Sequence, residues 1–403
     1  METTQLSSGL PVLFQYAPGT PRMALAVTFA GGRLREETPG TAQLAGHLLL
    51  KGTAKRSAEA LAQELDAHAI ILQDMLLNDL SVLSAIFLNR ELAHTLEIIN
   101  DILTGSTFAD FEKEKVRLLG AINTSLDVPR ELASDLLTGT LYAGHPYGFT
   151  GTAVLAAAEK LGVEESRSIV TAQQFPAGMN ITLVGDVDLA EVLPLLEAAF
   201  GSLTAGQPLP AFAAPVPLTK DILVKQTRPD AQQAQVFQGW HAPALGAPEQ
   251  AAFSVMNTIL GVGGLSSRLF RELRDKQGLA YTVRSQYNLS RLCSEFAVTI
   301  GTSPENIERA QQGFLEQIVK MQQELVSDDE LNGAKGKLRG NHVLSHETNN
   351  QQCLDYALKH ITGVGPDYST RLLEQVETIT REQVQTAAQL LAGPSVTVIV
   401  APE

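Results

Sequence analysis

The stretch 261–281, GVGGLSSRLFRELRDKQGLAY, decides how the rest of this chain is read. Gly261, Gly263 and Gly264 lack a Cβ, so the backbone there can turn tightly or lie close against another group. From 266 to 276 the spacing predicts a helix, with Leu269, Phe270 and Leu273 on one side and Arg268, Arg271, Glu272 and Asp275 on the other. Gly278 ends it. Arg274 then falls in the last turn and Tyr281 opens an extended run to Tyr287, so a guanidinium fork and a phenol can converge on one carbonyl oxygen. The same residues admit a plainer reading, in which Arg274 caps its own helix and Tyr281 packs in a core.

The length of 403 residues implies two or more domains. Apolar residues make up 44% and charged residues 18%, a globular balance that argues against disorder. The formal net charge is -14 and no basic run occurs, which disfavours nucleic acid and anionic membrane as partners. Cys293 and Cys353 are too few for a disulfide framework or a cysteine zinc cluster. The start, METTQLSSGLPVLFQ, has no charged segment followed by an apolar core, and no run of about 18 apolar residues suggests membrane insertion. As written the chain reads as cytoplasmic. A form that had lost an export signal would read the same way and belong in the periplasm.

Alternation over 10–15 and 23–29 predicts two strands joined through Pro18, Gly19 and Pro21. A helix is expected within 40–53, GTAQLAGHLLLKGT, where Leu44, His47, Leu48 and Lys51 recur at helical spacing. Residues 70–77 and 80–87 read as a hairpin, and 111–132, FEKEKVRLLGAINTSLDVPREL, as one long helix. The two halves close alike: a helix over 163–174 leads to a strand at 180–184, and a helix near 382–391 leads to one at 395–399. Between them, GSLTAGQPLPAFAAPVP (201–217) is uncharged and rich in Pro and Ala, as expected of an extended linker. The echo predicts an internal duplication of about 200 residues per copy. The domains are therefore expected at 1–204 and 220–403, with the linker at 205–219. His342 and His346, with Glu347 alongside, fall at a chelating i,i+4 spacing in a predicted helix, but no third ligand accompanies them.

The 261–281 stretch resembles the pitrilysin/insulinase family of zinc peptidases, the inverzincins, whose second homologous domain carries a segment reading like SSRLFxELRxKxGLAY. The resemblance implies an α+β fold of two homologous domains, each a mainly antiparallel sheet packed with helices, of the LuxS/metallopeptidase-like kind. It also implies that Arg274 and Tyr281, preceded by the glycine turn, hold a substrate carbonyl and stabilise the tetrahedral intermediate. The family signature HxxEH sets two zinc-ligating histidines at i and i+4, with a general-base glutamate beside the second. Here those five positions read Gln43, Leu44, Ala45, Gly46 and His47, while Gly40, Ala42 and Lys51-Gly52-Thr53 fit the frame. Alignment on Glu112 and Glu114 puts Ala121 where the third ligand, a glutamate, would stand. With most of the set missing, no metal is expected on this chain, and His47 reads as a leftover or a hydrogen-bonded core histidine. The family pairs substrate backbone with the first strand of the 70–87 hairpin, which here offers Leu72, Gln73 and Asp74, with Gln73-Asp74 replacing the usual Asn-Ala.

A partner is implied too. Bacterial members of this size assemble as two chains, and in some pairs one subunit holds the zinc through HxxEH while the other supplies the arginine and tyrosine. This sequence looks like the second kind. It is expected to be inactive alone, to meet zinc only in a partner subunit, and to act on peptides. The alternative under the same resemblance is a homodimeric scaffold or peptide-binding protein with no chemistry.

Overall fold

A computed structural model of the chain describes residues 1–174, 176–204 and 210–402, with the backbone alone at Gln173 and Tyr281. They divide into two compact units. One comprises Met1–Gly120, Ala156–Phe212 and Leu344–Ser369, the other Ala121–Leu155, Ala213–Val343 and Thr370–Glu403.

In the first unit, β1 (Glu2–Gln5), β2 (Pro11–Tyr16), β3 (Arg22–Ala30), β4 (Ile71–Leu76), β5 (Leu80–Leu88) and β6 (Met179–Gly185) form a sheet in the order β1-β2-β6-β3-β5-β4. β2 and β6 run parallel and the other neighbours antiparallel. The central strands β3 and β6 are buried along almost their whole length, and the polar side chains they carry are paired there: the Thr28 hydroxyl donates to the Asn180 side-chain oxygen, and Asn180 Nδ2 donates to the Thr182 hydroxyl at 3.1 Å. One face is covered by the helix Asn349–Ile361, from the far end of the chain: Cys353 and Ala357 pack against Ala24, Ala26, Leu80, Val82 and Val184. The short side chains on β3 let this helix approach closely.

The same unit holds a charged knot. Arg56 donates to Glu64 at 2.7 Å, to Glu97 at 2.9 Å and to Asp101 at 2.8 Å. Asp101, only 4% exposed, also accepts the Thr53 hydroxyl at 2.6 Å. Arg56 thereby joins the helix Ala58–Ala67 to the helix Leu92–Gly105.

In the second unit, β7 (Ile222–Thr227), β8 (Ala234–Ala242), β9 (Ala280–Asn288), β10 (Ser294–Thr302) and β11 (Val396–Ala401) take the order β7-β11-β8-β10-β9, again with one parallel pair, β7 and β11. This repeats β2-β6-β3-β5-β4 strand for strand, the pattern an internal duplication leaves. Its covering helix, Pro129–Leu141, comes from the first half of the sequence. Leu137 of that helix lies on Gly239 of β8, where a Cβ would be only 2.9 Å from Leu137 Cδ1. The core gathers around Trp240, Phe253 and Phe296, the two phenylalanine rings meeting edge to face at 5.3 Å. The fold is α+β, built of two domains that each pack a mixed sheet with helices.

The single helix expected over 111–132 is in fact two, Phe111–Leu126 and Pro129–Leu141. Proline disfavours helical backbone at the residue before it, and Val128 is accordingly extended at ψ 116, while Pro129 itself suits the first helical position. The expected linker begins in 205–209, which lie outside the described residues, and 210–221 carry no regular element. β1 and the helix Leu92–Gly105 add to the predicted elements.

Candidate functional site

Beyond the helix Gln250–Asn257 the chain winds wider than an α-helix: the Gly263 N–H reaches Thr258 O, five residues back, at 2.8 Å. This lays Gly261 directly on β9, where an added Cβ would sit 2.3 Å from the Ser285 backbone nitrogen, so no larger residue fits. Gly264 then takes a left-handed φ of +69°. Helical backbone resumes at Arg268 rather than Ser266 and widens again over Phe270–Lys276. Gly278, at φ +63°, and the Leu279 N–H on Leu273 O at 2.9 Å close it in a Schellman turn. β9 starts at Ala280.

Leu269 and Leu273 are fully buried, as their spacing predicted. Arg268 departs from the expected solvent face: its Nε and Nη2 donate to the two carboxylate oxygens of Glu330 at 2.8 and 2.9 Å. Arg271 adds a third contact at 3.3 Å. No periodicity within 266–276 signals this, because the acid stands on the helix Asp328–Leu344. The Arg268 fork, against the opposing effect of burial, holds the Glu330 carboxyl down to about 2. A depressed carboxylate pKa stabilises the fold above the ordinary carboxylate range, and that contribution is lost as the pH falls toward 2. Between pH 5 and 2.5 the urea midpoint of the wild type should therefore fall more steeply than that of Glu330→Gln, a contribution of about 1–3 kcal/mol. Parallel slopes would show that the fork carries no such linkage.

Arg274 is half-buried, its guanidinium 4.5 Å from the centroid of the Phe270 ring. Both residues line a cleft of about 670 Å³, together with Gly261, Gly264 and residues 282–288 of β9. β9 is the outermost strand, and among the described residues no strand lies on its free edge. Such an edge presents backbone donors and acceptors that an extended chain can match. Tyr281 belongs to β9 by its backbone, and its side chain lies outside the described residues.

The helix Thr41–Leu49 carries Gln43, Gly46 and His47, all half-buried. Its start is held by Glu36, whose buried carboxylate accepts the Ala42 N–H at 2.8 Å. Burial pushes the Glu36 carboxyl up despite the nearby Arg33. Gly46 faces β4: a Cβ there would meet the Asp74 carboxylate at 2.7 Å. Leu72, Gln73 and Asp74 lie on β4, the edge of the first sheet, paired with Ala85, Ser84 and Leu83 of β5. Gly46 and Asp74 border a small, largely apolar cavity of about 40 Å³. Ala121 lies on the helix Phe111–Leu126, and Glu114 of that helix pairs with Lys51 at 3.1 Å.

These residues do not fit a zinc ion. Gln43 offers a neutral amide, Gly46 and Ala121 offer nothing, and His47 is the one strong donor left. Among the described residues no group of three or more His, Cys, Asp or Glu is placed to hold a metal. The helix carrying His342 ends at Leu344, so His346 is not on its face as the i,i+4 spacing suggested. His346 instead meets Asp355 at 3.1 Å and the Ser345 hydroxyl at 3.1 Å. No helix among the described residues is long and apolar enough to cross a membrane.

One sheet-and-helix plan is built twice in this chain, and its second copy carries a cleft beside β9. The chain belongs to the M16 peptidase (insulinase) family. The family model described as "Insulinase (Peptidase family M16)" matches residues 11–150, and "Peptidase M16 inactive domain" matches 171–338. An uncharacterized zinc protease of Mycobacterium leprae is 27% identical over 395 residues, covering 96% of this chain and 88% of the relative. Another from Streptomyces coelicolor is 29% identical over 354 residues, covering 85% and 77%. In fold, the chain is similar to the crystal structure of a peptidase M16 inactive domain from Pseudomonas fluorescens, with a TM-score of 0.90 at 23% identity over 100% of this chain and 98% of that one.

Proposed function

We propose that this chain is the non-zinc member of a two-subunit peptidase, supplying Arg274 and Tyr281 to hold the scissile carbonyl of a peptide while a homologous partner brings the zinc. The observation that supports it most is the position of Arg274 in a large cleft along the free edge of β9. A peptide extended there would satisfy its backbone against the strand and bring a carbonyl within reach of a guanidinium. As the carbonyl oxygen gains charge, preorganised N–H and O–H donors stabilise it more than they stabilise the ground state. The absence of donors at positions 43, 46 and 121 fits a division of labour, since among the described residues no other group of three His, Cys, Asp or Glu is placed to hold a metal.

Affinity isolation of the chain from its native host, followed by zinc and peptidase assays, tests the reading. Zinc and activity should appear only with a co-purifying homologue, and neither protein alone should cleave. Recovery of the chain solely as a homodimer without hydrolytic activity would replace this reading with the scaffold or peptide-binding alternative.

A further inference from the structure

The cavity bordered by Gly46 and Asp74 takes its walls from the helix Thr41–Leu49, from β3, β4 and β5, and from the helix Leu92–Gly105. Phe29, Ala45, Leu49, Val82 and Leu103, all buried, make most of it apolar. Among the described residues on the wall, Asp74 alone is charged, and only Ser81 adds another polar side chain. Asp74 is half-buried, and among the described residues no hydrogen bond or ion pair reaches its carboxylate. At about 40 Å³, the space holds roughly three groups the size of a water or a methyl.

From this geometry we infer that the cavity receives the amino-terminal residue of a peptide, its α-ammonium on the Asp74 carboxylate and a small aliphatic side chain, valine by size, among the apolar walls. The wall disfavours the other classes of ligand. A metal cation needs several donors, and one carboxylate supplies too few. An anion meets the Asp74 charge head on. A neutral apolar molecule fills the space but leaves that carboxylate desolvated without a partner. A lysine side chain carries its charge at the wrong end: entering tip first, it sets the ammonium among buried residues such as Phe29 and Leu103, whereas Asp74 stands at the less buried side. An amino terminus bears charge and side chain on one carbon, so a charge-assisted hydrogen bond and apolar burial are met together. β4 is the edge of its sheet, and the residues that follow leave the cavity beside unpaired backbone groups. The claim stands apart from the peptidase reading, because it involves neither Arg274 nor hydrolysis.

Titration of the full isotope-labelled chain with Val-Ala-Ala amide, followed by nuclear magnetic resonance, provides the test. Saturable shifts are expected at the Gly46 and Asp74 amides. N-acetylation should weaken binding about tenfold or more, since it deletes the charge-assisted contact. Gly-Ala-Ala amide should also bind about tenfold or more weakly, since it leaves the apolar walls uncovered. Phe-Ala-Ala amide, too large for the space, should bind more weakly than the valine peptide. Asp74→Asn should bind Val-Ala-Ala amide no better than the wild type binds its acetylated form. Absence of saturable binding, equal binding of the acetylated, glycine or phenylalanine peptide, unchanged affinity in Asp74→Asn, or ammonium ion or acetyl-Lys-Ala-Ala amide binding as tightly as Val-Ala-Ala amide would each overturn the assignment.

Discussion

Arg274→Ala, combined with a zinc-bearing partner, is expected to lower kcat by about 10²–10³, the size of effect seen when one donor to a developing oxyanion is removed. KM should change less, because the guanidinium acts chiefly on charge that appears after binding. Arg274→Lys keeps the charge but loses the planar fork, and its recovery should be partial. The zinc content of the complex is the internal control: it should be unaffected, since Arg274 belongs to the cleft beside β9 and to no metal donor set. Wild-type kcat in the alanine variant would remove Arg274 from the chemistry.

The largest stability loss is expected from Arg56→Ala. The substitution removes the partner of three carboxylates, one of them the buried Asp101, and leaves that charge held only by Thr53 and by Lys55 at 3.7 Å. Breaking a buried ion pair from one side costs about 3–5 kcal/mol, because the surviving charge stays desolvated. Arg56→Ala with Asp101→Asn should recover part of that loss, which separates stranded charge from lost packing. Denaturant unfolding followed by circular dichroism measures both. An unchanged midpoint for the single variant would mean that water already reaches the knot.

What the sequence revealed and what it concealed divide along physical lines. Strands β3, β5 and β6 could be read because continuous or alternating apolar runs are local signals, and the repeated order of elements exposed the duplication. The glycine turn was readable in outline, but the wide winding at 258–262 and 270–276 was not, since no propensity separates it from an α-helix. Arg268 looked solvent-facing because its acid, Glu330, lies 62 residues away on another helix. The split at Pro129 was within reach of backbone rules and was missed by following helical spacing alone. At the candidate site, the identities at 43, 46, 47 and 121 are plain in the sequence, whereas the approach of the Asp74 carboxylate to Gly46 depends on strand register.

The exchange of the two covering helices makes neither half of the chain dispensable. Pro129–Leu141 roofs the sheet made from the later strands, and Asn349–Ile361 roofs the sheet made from the earlier ones. Severing the polypeptide near residue 204 would leave Ala24, Ala26, Val82 and Val184 bare to water, and would strip Gly239 of its cover. Each half is thus obligate architecture for the other.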